Sequence, residues 1–423
     1  MRKIRNFMRS FTDRGGVHIF TSTFLSKIAG FVLSVLVVRL FSKEVYGYYS
    51  YAHSVMIIIL PLSGFGLHHA LLRFASIEND NNKKIDLFTR FLSVGFLGSL
   101  LLSILIILLS KVITTQLPEA GRYLKLLSPL TITFFLSELL FSLYRSMKDN
   151  RTYAFGMLTK ALLLLGLCYL MSKYFGADGY AISYVLVPFI VALTLFALGR
   201  KKHGFRLKNN SDLKLKEYIK YGLFVGLGSI ASQLVLMMDT IMIGNILADS
   251  SQLANYRVAT ILPINLLLLP AILLRTDFVY IAEKYLNKEF LLNYYKKYLL
   301  TFTVILVAIF TVWLIFDDQI IRIFGPEYAS VKPIILVLLI MLVGNFLFRT
   351  PLGNMLAAVG KSSWNTVSNT ILVVENIILN FILIPQYSIM GAAIATTISI
   401  WTSGLINIIL FRHYLRKTIK SVK

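Results

Sequence analysis

The sequence predicts an all-α membrane protein whose chain crosses the bilayer twelve times. It has 423 residues, of which 57% are hydrophobic and 15% are charged, whereas about 25% of the residues in soluble domains are charged. Apolar runs of about 18 residues or more recur from one end of the chain to the other, and each is long enough to cross a hydrocarbon core of about 30 Å. Lipid is therefore the expected solvent for most of the surface.

The predicted elements are transmembrane helices joined by short loops. Their twelve centres lie near Leu33, Met56, Leu101, Phe134, Leu164, Val187, Ala231, Leu266, Val307, Leu339, Ile377 and Ser399. The single cysteine, Cys168, excludes an intrachain disulfide and a cysteine metal cluster. We predict no bound metal.

The distribution of the basic residues predicts the orientation in the membrane. The net charge is +23, and 30 of the 43 Lys and Arg residues fall in the two termini and in every second loop, against seven in the alternate loops. This asymmetry follows the positive-inside rule with both termini in the cytoplasm. Orientation explains the charge better than nucleic-acid binding does, and attraction to anionic membrane lipids follows from it as well.

A basic connector at 200–218 divides the chain into two predicted six-helix lobes, residues 1–205 and 206–423. The lobes are related in sequence: a shift of 207 residues places Tyr49 on Tyr256, and near the end of each lobe a shift of 212 places FGADGYAI (175–182) on YSIMGAAI (387–394). Six spans return the chain to its starting side, so the repeats are parallel. We expect an axis along the membrane normal and a cavity between two bundles, as in many transporters.

The chain carries no recognisable nucleotide-hydrolysis motif. GKS occurs at 360–362, but the first glycine that a P-loop requires is replaced by Met355. The loops are too short to fold into a catalytic domain. We therefore predict neither catalytic residues nor ATP hydrolysis.

Three segments in the first lobe carry a family likeness: SKIAGF (26–31), RLFSKEVYGYYSYA (39–52) and GFGLHHALLRFAS (64–76). Together they resemble the polysaccharide-export branch of the multidrug/oligosaccharidyl-lipid/polysaccharide (MOP) exporter superfamily. The resemblance implies a V-shaped, two-lobed fold that flips undecaprenyl-pyrophosphate-linked oligosaccharides across the bacterial cytoplasmic membrane. It also implies polysaccharide polymerase and chain-length proteins as partners.

Within that family, the first segment implies a cargo-binding cation. Lys27 occupies the basic place of the S-[RK]-x-x-G pattern, where relatives have a cation in the substrate cavity. The following VLSVL (32–36) lacks the acidic residue and the further cations of peptidoglycan-precursor flippases. A capsule-, O-antigen- or teichuronic-type glycan is therefore the expected cargo.

Lys27 also stands out on physical grounds alone. It lies about 18 Å along the helix from Gly15, which is mid-bilayer if the membrane begins there. A lysine at that depth should face protein or a wet cavity. It either contacts the pyrophosphate as a compact positive charge or pairs with a carboxylate on a neighbouring helix.

Asp239 is the repeat counterpart of Val32, and Arg257 begins the next span. The two either form a local ion pair, or Asp239 binds a coupling proton or sodium ion. Arg257 is also a candidate cation of the substrate cavity.

Two further pairs of opposite charge lie at matching depths in adjacent spans: Glu138 with Lys160, and Arg349 with Glu375. We expect a salt bridge within each helical hairpin. The alternative is that Glu138 faces Arg349 across the cavity, with contacts that break during alternating access and with Arg349 binding substrate.

The remaining candidates lie near helix ends and bends. Arg73 closes GLHHALLRF at the cytoplasmic entrance, where it either meets a phosphate or satisfies the positive-inside rule. His68 and His69 either titrate near neutral pH or form hydrogen bonds at an interface. Three prolines, Pro263, Pro270 and Pro351, are candidate hinges, since they free backbone carbonyls in their helices.

These observations favour a flippase for a lipid-linked glycan. The runner-up is an ion-coupled exporter of drugs or small molecules in the same superfamily. A membrane glycan polymerase or ligase is the third alternative, although such enzymes generally carry a large external loop that this chain lacks.

Overall fold

A computed structural model of the protein describes residues 16–205 and 215–417, and these residues are helical almost throughout, with no strand among them. Ten of the described helical segments are long and apolar enough to cross a membrane. The basic residues of 1–15, 206–214 and 418–423 lie outside the described residues.

The chain divides into two compact units, Met1–Met237 and Met238–Lys423. The first unit begins with helices α1 Gly16–Leu40, α2 Lys43–Ile59, α3 Leu67–Ile77, α4 Asn81–Ile113, α5 Ala120–Leu127, α6 Leu130–Ser146 and α7 Asn150–His203. A 3-10 segment, Leu60–Gly66, joins α2 to α3. Helix α8, Leu215–Leu247, starts in the first unit and ends in the second.

The second unit continues with α9 Ser250–Leu266, α10 Leu268–Glu283, α11 Lys288–Phe324, α12 Lys332–Gly344, α13 Thr350–Ala358 and α14 Ser362–Lys417. A 3-10 segment, Pro326–Val331, precedes α12, and a π-helical turn, Asn345–Arg349, separates α12 from α13. The predicted lobe boundary at residue 205 abuts the undescribed part of the connector, and it stays a prediction.

Helix α7 reverses direction at Gly176, whose φ of 58° and ψ of −144° lie outside the helical region. Hydrogen bonding shows the reversal, because the Ser183 hydroxyl donates to the Leu167 carbonyl at 3.2 Å. Sixteen residues of straight helix would hold these two residues about 24 Å apart. Helix α7 is therefore a helical hairpin.

Helix α14 makes the same reversal at Ser388, with φ of 53° and ψ of −140°. Ser368 and Ser403 form a hydrogen bond of 2.9 Å between their hydroxyls across this hairpin, although a straight helix would separate them by about 52 Å. Both arms of each hairpin are helical up to the turn, so two of the ten candidate spans double back on themselves.

A glycine just after each turn lets the arms approach closely. A Cβ at Gly179 would lie 2.2 Å from the Met171 carbonyl oxygen, and one at Gly391 would lie 2.1 Å from that of Leu383. Both the glycines and the carbonyls are 212 residues apart. The two units therefore make the same tight turn at positions that correspond in the sequence repeat.

Asp149 closes the other end of the α7 hairpin, outside the candidate spans. Its carboxylate accepts hydrogen bonds from the Thr152 amide, from Nζ of Lys202 at 2.7 Å and from the His203 ring at 3.1 Å. Burial alone would raise the pKa of Asp149, but these hydrogen bonds outweigh it and lower the pKa to about 2. The first and last turns of α7 are thus tied by a carboxylate that stays ionised.

Candidate functional site

Lys27 lies on α1 with its side chain exposed. The packed face of α1 carries Ala29 and Leu33, both buried, and Ser26, whose hydroxyl donates to the Met157 carbonyl of α7 at 3.4 Å. Successive side chains of a helix are about 100° apart, so Lys27 points away from that face. Among the described residues no ion pair or hydrogen bond is found for its ammonium. The structural ion pair considered for Lys27 is therefore absent from the described part of the chain.

Glu138 on α6 and Lys160 on α7 are paired within the first unit. Nζ of Lys160 lies 3.3 Å from Oε1 of Glu138, with the two side chains 28% and 31% exposed. The same ammonium lies 5.7 Å from the ring centres of Phe134 and Phe141. This is the arrangement that the hairpin interpretation predicts.

His68, His69 and Arg73 lie on α3. The two imidazole rings are 4.0 Å apart, and His68 is buried at 5% exposure. Arg73 is exposed and stacks over the Tyr221 ring at 5.6 Å. These contacts are packing interactions at the helix interface, and in this structure Arg73 lies against an aromatic ring of α8.

Asp239 lies at the centre of a polar network in the second unit. Its carboxylate accepts hydrogen bonds from the Tyr256 hydroxyl at 2.5 Å, the Asn380 amide at 2.7 Å and the Thr396 hydroxyl at 2.5 Å. Asn376 extends the network, donating to Thr396 at 3.0 Å and accepting from Asn380 at 3.1 Å. The network joins α8, α9 and both arms of the α14 hairpin.

Oxygen atoms dominate the interior of this network. Asn380 is fully buried, and its Oδ1 atom lacks a hydrogen-bond partner in the structure. Arg257 lies half-buried on α9, and its pairing with Asp239 stays a prediction. The three hydrogen-bond donors to the Asp239 carboxylate are all neutral groups.

Arg349 and Glu375 do not form the predicted salt bridge. Nη2 of Arg349 donates to Oδ1 of Asn369 at 3.0 Å, while Oε1 of Glu375 accepts from the Thr402 hydroxyl at 3.0 Å. Asn369 and Glu375 are six residues apart on α14, about 9 Å along the helix. The prediction was wrong because the arginine lies level with the amide rather than with the carboxylate.

Pro351 is the best defined of the three candidate hinges. It cannot donate the backbone hydrogen bond to the Leu347 carbonyl that an α-helix would make, and the Tyr295 hydroxyl of α11 donates to that carbonyl instead, at 2.9 Å. The preceding turn is π-helical, with the Thr350 amide bonded to the Asn345 carbonyl. A neighbouring helix thus satisfies the backbone at this bend.

The other two prolines flank the junction of α9 and α10. Pro263 lies inside α9, and Pro270 lies in the first turn of α10, after a single residue between the helices. The Asn265 amide donates to the Ile261 carbonyl at 2.7 Å. Their role as hinges stays a prediction.

Four residues of the Asp239 network were not predicted from the sequence as site residues: Tyr256, Asn376, Asn380 and Thr396. One signal was available, because Asn376 and Asn380 are four residues apart in an apolar run and so lie on one helix face. In the described part of the chain, no three His, Cys, Asp or Glu side chains come together in a way that could hold a metal ion.

The helical architecture is that of MOP-superfamily transporters. The lipid II flippase MurJ, in its inward closed conformation, matches with a TM-score of 0.74 and 16% identity over 96% of this chain and 90% of that chain. An inward-facing multidrug resistance MATE family transporter matches with a TM-score of 0.76 and 16% identity over 94% and 96%. At this identity the likeness defines the fold alone.

The profile of the polysaccharide biosynthesis protein family matches residues 13–274, more than half of the chain, and the chain belongs to that family. The capsular polysaccharide biosynthesis protein CapF of Staphylococcus aureus is 22% identical over 395 residues, covering 90% of this chain and 94% of CapF. The probable low-salt glycan biosynthesis flippase Agl15 of Haloferax volcanii is 29% identical over 247 residues, covering 57% of this chain and 50% of Agl15.

Proposed function

We propose that this protein is a flippase that moves a polyprenyl-pyrophosphate-linked oligosaccharide across the bacterial cytoplasmic membrane by alternating access. Family membership and relatives named for capsule biosynthesis and glycan flipping support the cargo class. The observation that carries the proposal is Lys27, an exposed ammonium in a membrane-spanning helix with no carboxylate partner among the described residues. A charge kept unpaired at that depth costs about 2.5–3.5 kcal/mol on insertion scales, and an anionic cargo would offset it.

The proposed topology has twelve spans in two six-helix lobes with both termini in the cytoplasm. Ten candidate spans, two of which are hairpins, support that number, and the corresponding turns at Gly176 and Ser388 support the repeat. Reporter fusions after Lys216 and after Lys417 should both report cytoplasm. A periplasmic signal from either fusion would contradict the topology.

Lys27 is the proposed contact for the pyrophosphate. We expect Lys27→Ala to lower glycan export about 10- to 150-fold, the range for losing one charge-assisted hydrogen bond, while Lys27→Arg keeps part of the activity. The matched control is Lys173→Ala, which removes an exposed cation three residues before the α7 turn. Export would be measured in a strain that lacks its own flippase, at equal protein level in the membrane. Normal export by Lys27→Ala would refute this role.

Arg73, Arg257 and Arg349 are proposed as further cations along the cargo path. In this structure Arg73 stacks on the Tyr221 ring and Arg349 donates to the Asn369 side chain, so a bound cargo would have to displace these partners or bind the arginines beside them. We rank them below Lys27 for that reason.

The Asp239 network is the proposed coupling site for a proton or a sodium ion. The Asp239 carboxylate, the unpartnered Oδ1 of Asn380 and the neighbouring Asn376 and Thr396 oxygens form the kind of oxygen-rich environment that hard cations prefer. A proton bound to the carboxylate is the alternative. We propose no ATP hydrolysis, so an ion gradient or consumption of the flipped cargo has to supply net direction.

Reconstituted vesicles would test the coupling. We expect Asp239→Asn to flip cargo down its concentration gradient and to ignore an imposed proton or sodium gradient. Wild-type transport that is indifferent to both gradients would make the protein a passive flippase, with Asp239 serving structure only. A cationic dye in place of the lipid-linked glycan would test the runner-up: transport of the dye but not of the glycan would favour a small-molecule exporter.

A further inference from the structure

A cavity of about 710 Å³ lies in the first unit, where the end of α4 meets α5. Three basic residues line it: Lys111, Arg122 and Lys125. Gly121 lets α5 pack closely against the end of α4, because a Cβ there would lie 2.8 Å from the Thr114 hydroxyl oxygen. Neither Lys27 nor the Glu138–Lys160 pair lines this cavity.

The basic lining runs against the charge bias of the chain. Only seven Lys and Arg residues occur in the loops that the positive-inside rule assigns to the outer side, and three of those seven line this one cavity. Arg122 is bound to Asp178 of α7. Lys111 and Lys125 are exposed, and neither forms an ion pair with any residue that the structure describes.

In this cavity, Lys111 and Lys125 offer a ligand two ammonium groups that form no ion pair within the described residues, beside the Arg122 guanidinium. The hydroxyls of its lining already donate to the backbone of α4 and the turn that follows it: Thr114 bonds the Ser110 carbonyl at 2.8 Å, and Thr115 bonds the Val112 carbonyl at 2.8 Å. The nearby carboxylate of Glu119 is not part of the lining. The cavity therefore presents two unneutralised positive charges and is suited to a phosphate.

An apolar surface continues from the cavity along α4. Leu105, Leu108 and Val112 are 49%, 71% and 73% exposed. Helix α4 has 33 residues and is about 50 Å long, which exceeds a hydrocarbon core of about 30 Å. The end of α4 therefore reaches the headgroup layer while its exposed leucines face the acyl chains.

We propose that this cavity binds the phosphate headgroup of an anionic membrane lipid, with the lipid chains lying along the exposed face of α4. The inference rests on the transmembrane topology of the proposed function, although it assigns the site no part in moving the cargo. Two ligands share the required chemistry: an anionic phospholipid such as phosphatidylglycerol, and a polyprenyl phosphate.

Lipid binding to the purified full-length protein in detergent tests the proposal, with native mass spectrometry as the readout. We expect phosphatidylglycerol to bind more tightly than phosphatidylethanolamine. The double variant Lys111→Gln/Lys125→Gln should bind phosphatidylglycerol about 30-fold more weakly than the wild type, because each lysine near a headgroup contributes a similar electrostatic increment. Lys173→Gln is the matched control and should bind as the wild type does. An unchanged thermal unfolding midpoint would verify that the double variant is folded.

Undecaprenyl phosphate and soluble glycerol 3-phosphate complete the test. Binding of either lipid that the double variant loses supports the proposal, and the tighter of the two identifies the source of the phosphate. Equal binding of phosphatidylglycerol by wild type and double variant, no preference over phosphatidylethanolamine, or glycerol 3-phosphate binding as tightly as the lipids would overturn it. The assay needs no transport, so failure of this site and failure of the flippase proposal appear in different experiments.

Discussion

The bend at Pro351 depends on one hydroxyl from a neighbouring helix. Removing that hydroxyl gives a quantitative test of how α13 is stabilised. Tyr295→Phe deletes the donor to the Leu347 carbonyl and leaves the ring in place. Because Pro351 has no N–H, the backbone cannot replace the lost hydrogen bond without changing the helix. We expect the second unit to be destabilised.

The magnitude follows from the contact itself. A 2.9 Å hydrogen bond between helices in a membrane contributes about 0.6–1.7 kcal/mol, and leaving a buried acceptor unsatisfied costs about 1–3 kcal/mol. We therefore expect a loss of about 1–2 kcal/mol. For a unit of this size that corresponds to a decrease of about 2–8 °C in the thermal unfolding midpoint.

The same helix supplies the matched control. Tyr298 is 3% exposed, and its hydroxyl is buried with no hydrogen-bond partner in the structure. Tyr298→Phe removes an unsatisfied polar group, so we expect an unchanged or slightly higher midpoint. Both single variants would be measured as purified protein in the same detergent.

A double-mutant cycle ties the effect to the proline. In Pro351→Ala the backbone N–H returns, so Tyr295→Phe should cost less than about 0.5 kcal/mol in that background. An equal cost in both backgrounds would refute the account, as would a Tyr298→Phe variant that loses as much stability as Tyr295→Phe.

The remaining predictions concern the two hairpins and the ion pair. Exchanging the charges of Glu138 and Lys160 together should restore the stability that either reversal alone loses; independent, additive losses would contradict the pairing. Gly391→Ala should reduce the yield of folded protein because its Cβ meets a backbone carbonyl, whereas Gly166→Ala, with open space around its Cβ, should leave it unchanged; equal yields would count against the tight turn. The ionised Asp149 stabilises the α7 hairpin above the ordinary aspartate pKa, and this stability is lost as the pH falls through its folded pKa of about 2. The wild type should therefore lose about 1–2 kcal/mol of stability between about pH 4 and pH 2, and Asp149→Asn should not. The unfolding midpoint measured against pH tests this, and the same acid sensitivity in variant and wild type would argue against it.

Much of the helical architecture could be predicted from composition and periodicity. Apolar runs long enough to cross a bilayer have to become helices, because lipid offers the backbone no other hydrogen-bond partner. The sequence predicted separate spans on the two sides of each reversal, but it did not reveal that the helices turn back without a loop. A single residue with positive φ makes each turn. Glycine and serine are also common inside ordinary membrane helices, so the residue types Gly176 and Ser388 do not mark the turns.

The charged residues show where prediction from sequence ends. Glu138 and Lys160 lie at equal depth on consecutive helices, so their pairing follows from helix length and loop position alone. The same reasoning failed for Arg349 and Glu375, because Arg349 lies within the π-helical turn Asn345–Arg349, where the side-chain phase departs from that of a regular α-helix, and it bonds Asn369 instead.

The sequence by itself determined the membrane solvent and the apolar runs, and it predicts the internal repeat, since each depends only on residue type and spacing. Tertiary structure alone decided the environment of Asp239. Its partners Asn380 and Thr396 are 141 and 157 residues away, brought to the carboxylate by the fold-back of α14. Whether the half-buried Asp239 carboxylate meets an arginine or three neutral donors depends on side-chain positions to within about an ångström, because a hydrogen bond is lost beyond about 3.5 Å. No pattern along the chain encodes distances of that size.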